Sequence, residues 1–257
     1  MGRMRISGST ARRTWTATAG GLACLLALTS CGGSADGGSK DSGASRASAK
    51  SASPSPGPST QLRSIPGIGD RLHDRIPASA RQVVAVYGKG EDSAKSTVVL
   101  YTKHGKTWDR DRTWQGHNGK KGWSTNHREG DNRSPVGVFT LTDAGGVLAD
   151  PDSGSGLPYT RSESFAAPRY WAKSHWHDFD LVIAIDYNRV KGTPPNDPTR
   201  PQGQSKGGSI WLHMDHGSGT SGCVSLSRSA MEYLLRTLDP GQKPVVVMGD
   251  KAQLSRA

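Results

Sequence analysis

The sequence predicts a mainly β domain, a sandwich or open barrel with one C-terminal helix packed on it, and three observations carry that expectation. Short apolar or alternating runs recur between Gly-rich turns. Long helical periodicity is missing except in one stretch near the C-terminus. Setting aside a leader and a low-complexity segment leaves about 190 residues, enough for one domain with a real core.

The elements follow in order. Val83 to Tyr87 and Thr97 to Thr102 read as strands, the second running into a hairpin turn at His104-Gly105. Val136 to Leu141 follows Ser134-Pro135 and carries Phe139, which can point inward. Leu181 to Tyr187 (LVIAIDY) is the fully apolar run of a central strand, as is Val245 to Met248. Ser209 to Met214 alternates, with Ile210, Leu212 and Met214 on one face and Trp211 and His213 on the other. The helix is Ala230 to Leu238. Ser229 and Glu232 form a Ser-x-x-Glu capping box, Met231, Leu234, Leu235 and Leu238 an apolar stripe, and Asp239-Pro240-Gly241 the stop.

The N-terminal leader reads as an export signal over residues 1–30. Arg3, Arg5, Arg12 and Arg13 precede an apolar run, Gly20 to Leu28, too short to span a bilayer as a permanent helix. The run ends in Leu28-Thr29-Ser30-Cys31, which resembles a lipobox and makes Cys31 the expected lipidated residue. Residues 31–64, dominated by Gly, Ser, Ala, Pro and Lys, have almost nothing to bury and read as a disordered tether. Residues 65–250 form the expected folded domain and 251–257 a tail. The expected location is therefore the outer face of the cell membrane. The formal net charge of +11, less the four arginines of the leader, leaves +7 on the mature chain. Export sets nucleic acid aside as a partner and leaves the acidic polymers and phospholipids of the envelope. No oligomeric state follows from the sequence.

The three cysteines divide cleanly. Cys24 leaves with the leader and Cys31 carries the lipid, so Cys223 is the one thiol of the folded domain. It has no disulfide partner, and its neighbours Gly217, Gly219 and Gly222 speak for backbone shape and access rather than packing. A thiol becomes a strong nucleophile when a nearby imidazole takes its proton. His213 ends a strand ten residues before Cys223, and the glycines let the chain fold back to bring the two together. The amides of Gly222 and Cys223 are candidates for an oxyanion hole. His216 competes with His213 as the base; its loop position makes it a cleft residue instead, with Trp211 beside it. His175-x-His177 is the rival signal, because two histidines at strand spacing share a face and can bind zinc together with His213 or His216. No HExxH helix accompanies them, so no metal is expected. Trp171 and Trp176 read as a lid or groove wall.

The stretch HMDHGSGTSGCVSLS (213–227) resembles the L,D-transpeptidase catalytic (YkuD-type) family, whose signature is a strand-end His followed by [Ser/Thr]-x-Gly-Cys, here His213 and Thr220-Ser221-Gly222-Cys223. EGDNRSPVGVFTL (129–141), IDYN (185–188), GGSIWLHM (207–214) and DPGQKPVVVMG (239–249) follow the family's order. Ser221 replaces the commoner second His, Ser225 replaces a common Arg or Asn, and the His-to-Cys spacing is short, which marks a divergent short-loop branch. The resemblance implies the family's β-sandwich or open barrel, with Cys223 as nucleophile, His213 as base and then acid, and Gly222 and Cys223 amides on the oxyanion. It also implies a tetrapeptide stem of peptidoglycan as donor, release of D-Ala, transfer of the acyl group to a stem amine, and no cofactor. The alternatives are hydrolysis of the same thioester by an L,D-carboxypeptidase, a zinc-dependent peptidase, or a non-catalytic wall-binding lipoprotein. Asp131 and Arg133 read either as contacts to stem charges or as a solvated hairpin tip.

Overall fold

The computed structural model describes residues 61–152 and 156–257. The expected signal peptide, the lipidation site Cys31 and the tether up to Thr60 lie outside the described residues. Leu62, inside the stretch read as tether, pairs its backbone with Trp108 in an isolated bridge, so the folded chain reaches back past the expected boundary at Ile65. No helix among the described residues is long and apolar enough to cross a membrane.

The strands, in chain order, are β1 (Gln82–Gly88), β2 (Lys95–His104), β3 (Thr107–His117), β4 (Trp123–Ser124), β5 (Ser134–Pro135) and β6 (Gly137–Thr140). They continue with β7 (Ala144–Gly146), β8 (Tyr159–Arg161), β9 (Val182–Ala184), β10 (Trp211–Met214), β11 (Val224–Leu226) and β12 (Val245–Asp250). The helices are α1 (Asp70–His73), α2 (Arg228–Thr237) and α3 (Lys251–Leu254). Ten strands form one mixed sheet in the order β6-β12-β1-β2-β3-β11-β10-β9-β7-β8, and β4 pairs with β5 apart from it. The fold is mainly β, as the sequence predicts.

Side-chain alternation builds two cores on the two faces of this sheet. Val84 and Val86 of β1, Val98 and Leu100 of β2, and Val246 and Met248 of β12 face one way. The sheet folds over so that Ile183, Leu212, Val224 and Leu226 from β9–β11 share that cluster, with Met231, Leu234 and Leu235 of α2 closing it. The alternate residues, Val83, Ala85, Val99, Tyr101, Val245 and Val247, face the other way under Ile65, Leu72 of α1 and Leu254 of α3. A third cluster lies behind β9 and β10, where Val182, Ala184 and Trp211 meet Phe165, Phe179 and the side chain of Cys223.

Three expectations are corrected. The helix starts earlier than Ala230 and is capped by Ser227, whose Oγ accepts from the Ala230 amide at 3.3 Å; Glu232 pairs with Arg228 at 2.9 Å instead of closing a box with Ser229. Residues 251–257 are no free tail. Asp250 accepts from the Ala252 and Gln253 amides, starting α3, and Leu254 is fully buried. The central strand expected over Leu181 to Tyr187 is regular only in β9. The hairpin at His104-Gly105 stands: His104 pairs with Thr107 and Gly105 takes φ +61° at the open tip.

Candidate active site

Strand register brings the two signature residues together. β10 and β11 are parallel neighbours with Leu212 opposite Val224 and His213 opposite Ser225. Cys223 therefore falls level with Trp211, and alternation points Cys223, Trp211 and His213 to the same side of the sheet. The Trp211 amide donates to Cys223 Sγ at 3.4 Å. Both Cys223 and His213 line a cleft of about 700 Å³ whose walls include Trp171, Phe179, Trp211 and His216.

The turn that carries the thiol is fixed from three sides. Thr220 pairs with Asn118 and Lys120 across a short bridge, and its Oγ1 donates to the Cys223 carbonyl at 2.6 Å. Ser134, fully buried at the start of β5, donates its hydroxyl to the Gly222 carbonyl at 2.7 Å and accepts from the Gly119 amide at 2.9 Å. At the start of the loop, Asp215 accepts from Ser225 Oγ at 2.6 Å, His117 Nδ1 at 2.8 Å and the Gly217 amide at 3.1 Å. Burial pushes the Asp215 carboxyl up, but the hydrogen bonds from Ser225 and His117 outweigh it and hold the group below the ordinary carboxylate range. Gly222 is required on two grounds: its φ is +156°, and a Cβ there would meet Ile210 Cδ1 at 3.1 Å and the Arg133 carbonyl at 3.2 Å.

The electrostatics of the pair are those of a neutral resting state. Burial pushes the Cys223 thiol up to about 12, against the Trp211 amide, which favours the thiolate. The thiol donates to the Ser209 carbonyl at 3.3 Å, and Ser209 holds that carbonyl in place through a left-handed backbone at φ +50°. Burial lowers the His213 pKa, opposed by a hydrogen bond from Nδ1 to the Met214 carbonyl at 2.8 Å. With Nδ1 donating, Nε2 carries the free lone pair, which is the tautomer a base needs. No hydrogen bond joins His213 to Cys223 among the described residues.

Several expectations change here. The Gly222 amide donates to Thr220 Oγ1 at 3.1 Å, so of the two amides named for an oxyanion hole only that of Cys223 remains a candidate. Ser221 lines the cleft, as do His216 and Trp211. Trp211 also anchors itself by donating Nε1 to the Pro195 carbonyl at 3.2 Å. His175 and His177 do not share a strand face. His175 ends a short 3-10 turn, Lys173–His175, and bonds Asp178 at 2.9 Å, while the His177 side chain is 74% exposed and bonds Asp180. His175 instead meets His216 across Asp178: His216 Nδ1 lies 3.0 Å from Asp178 Oδ2, off the line of a hydrogen bond. The sequence reading missed Asp178, Asp215, His117 and Ser134; Asp215, His117 and Ser134 have partners far along the chain, and Asp178 joins its near neighbour His175 to the distant His216.

Two further motifs prove to be scaffolding. Asp131 accepts from the Arg128 and Arg133 amides and lies 2.9 Å from His127, and the Arg133 guanidinium meets Asp92 at 2.8 Å. Both charges of that hairpin are thus paired within the chain. In IDYN, Asp186 accepts from Thr140, Thr142 and Arg189, while Asn188 ties the carbonyls of Gly203 and Gly207 and the Gln202 amide to the segment entering β10.

No curated protein matches the chain. Among solved structures, that of Bdellovibrio bacteriovorus Bd1075 aligns with 13% identity and a TM-score of 0.38, covering 74% of this chain and 51% of that one. This chain thus spans about half the length of that protein. The family model of YkuD, the L,D-transpeptidase catalytic domain, matches residues 78–247, which takes in β1 through the first half of β12 and every residue of the cleft named above. The chain belongs to the YkuD L,D-transpeptidase catalytic domain family.

Proposed function

We propose that this chain is a cysteine acyltransferase acting on peptidoglycan stem peptides, an L,D-transpeptidase with Cys223 as nucleophile and His213 as base and then acid. The observation that carries the reading is the shared cleft: a thiol and an imidazole of fixed tautomer project from adjacent parallel strands into one cavity. Because the resting thiol is protonated, proton transfer accompanies attack. Cys223 Sγ bonds to the carbonyl carbon of the L-to-D peptide bond before the terminal D-Ala, and the thiol proton passes to His213 Nε2. Collapse breaks the C–N bond, and His213 returns that proton to the departing D-Ala amine. A stem amine then attacks the thioester, gives a proton to His213 and frees the thiolate, which takes that proton back. Water in the amine's place gives the carboxypeptidase outcome. The arginine-led leader and Cys31 support an exported, membrane-tethered enzyme.

The test is intact-protein mass after exposure to a β-lactam of the carbapenem type. An adduct is expected on Cys223, absent in Cys223→Ser and formed about 10²–10⁴-fold more slowly in His213→Gln. Failure to form either this adduct or a thioester with a tetrapeptide stem overturns the reading. Supplying two stems separates a cross-linked product from a trimmed one.

A further inference from the structure

One cluster in the cleft wall is not used by this chemistry. His175 Nδ1 lies 2.9 Å and His216 Nδ1 3.0 Å from the same oxygen, Asp178 Oδ2. The three side chains each offer a ligand atom within 4.8 Å of the others. His216 is the odd member: its side chain is only 4% exposed, and among the described residues neither ring nitrogen has a hydrogen-bond partner. Buried imidazoles are normally satisfied, so an unpartnered one aimed at a buried carboxylate calls for something that binds both.

We propose that His175, Asp178 and His216 form a site for a divalent transition-metal ion. Ligand atoms about 2.0–2.1 Å from a common tetrahedral ion stand about 3.3–3.4 Å apart, so the His–Asp separations of 2.9 and 3.0 Å need open by only a few tenths of an ångström to seat one. Two imidazoles and one carboxylate are a donor set for zinc or its neighbours in the transition series, and a poor one for calcium or magnesium. The surroundings fit as well. The Asp178 side chain is 5% exposed, and its backbone carbonyl accepts from the Met214 amide at 3.0 Å, which ties the residue to the end of β10. The His216 ring stacks at 15° on that of His213, and Trp171 packs edge-on against His175. His175 and His216 line the same cleft as Cys223, so the remaining coordination positions open onto it for water or a carboxylate. The site stands independently of the acyl-transfer reading: it needs only that the three side chains converge.

The experiment is calorimetric titration of the metal-free full chain with Zn²⁺, paired with absorption spectra of its Co²⁺ form. One equivalent is expected, with affinity lowered about 100-fold or more in Asp178→Asn and in His216→Gln, since outer-shell changes alone cost 10–100-fold. His177→Ala and Cys223→Ser should bind as the parent does. Circular dichroism melts in chelator establish that each variant is folded, and the Co²⁺ spectrum needs no variant: nitrogen and oxygen ligation gives no thiolate charge-transfer band. Absence of a bound equivalent overturns the proposal. So does binding that survives His216→Gln but is lost in Cys223→Ser, or a thiolate band in the Co²⁺ form, since either moves the ion onto the nucleophile. If metal binds as expected while the β-lactam adduct fails, only the acyl-transfer reading falls.

Discussion

The turn at Thr220–Cys223 and the wall at Arg169–Asp180 border the same cleft and are built on opposite terms. Around the thiol, the Gly222 and Cys223 carbonyls receive the Ser134 and Thr220 hydroxyls, and the loop entry is tied to Asp215. Across the cleft, Tyr170 is 87% exposed and Trp171 38%, and the segment is held by one short 3-10 turn, the clamp at Asp178 and contacts among its own aromatics. Strand ends carry the Cys223 thiol, while an irregular aromatic segment lines the opposite side of the cleft. That division is what the proposed reaction asks for, a tightly positioned nucleophile beside an adaptable rim.

The largest effect that can break this contrast is the pH dependence of Cys223 itself. With its pKa pushed up to about 12 in the folded chain, the thiolate fraction grows tenfold with each pH unit below that value. Alkylation of Cys223, read on its own peptide by mass spectrometry, should therefore climb about 100-fold between pH 8 and 10 in the folded protein. In the urea-unfolded chain it should level off above about pH 9, near the ordinary thiol pKa of ~8.5. A folded-state plateau near neutrality means a preformed thiolate–imidazolium pair and ends the neutral resting state described above.

Removing a support of the turn should act next most strongly. Ser134→Ala strips the Gly222 carbonyl and the Gly119 amide of a buried partner, at a cost of about 1–3 kcal/mol in denaturant-induced unfolding. The acylation rate should fall with it. Unchanged acylation in a destabilised variant shows that the clamp serves the fold and not the thiol. The smallest effect belongs to the wall: Trp171→Ala should leave stability within about 0.5 kcal/mol, as for other exposed positions, and weaken KM for a stem substrate with little change in kcat. A drop in kcat of the size seen for Ser134→Ala erases the contrast between the two regions.

What could be read in the sequence divides along local and non-local lines. β1, β2 and β12 announce themselves because Val, Leu and Met alternate between two buried faces. β3 was not expected. Its run TWDRDRTWQGH is charged in the middle and exposed there, and it holds its place through ladder bonds to β2 and β11 that leave no mark in its own residues. His213 and Cys223 were legible because they are near in sequence and flank glycines. Ser134 and Gly222, or Asp178 and His216, meet only after the sheet has formed, and a buried polar partnership carries no periodicity to betray it. The oxyanion expectation erred for the same reason, since Thr220 claims the Gly222 amide through a side-chain bond that spacing does not predict. α3 was missed because a four-residue helix with one buried leucine is too short to show a stripe.

The parallel pairing of β10 and β11 has an evolutionary consequence. Because the height of the thiol is set by the opposition of Leu212 to Val224, residues between Asp215 and Gly219 can be inserted or deleted without moving the sulfur relative to the imidazole. A side chain at Gly217 would meet open space, whereas one at Gly219 would run into Lys120 and Ala94, so the loop has more room on its His216 side than nearer the cysteine. A short excursion such as this one is then a change of furnishing: it alters which side chains overlook the sulfur while thiol and imidazole keep their stations.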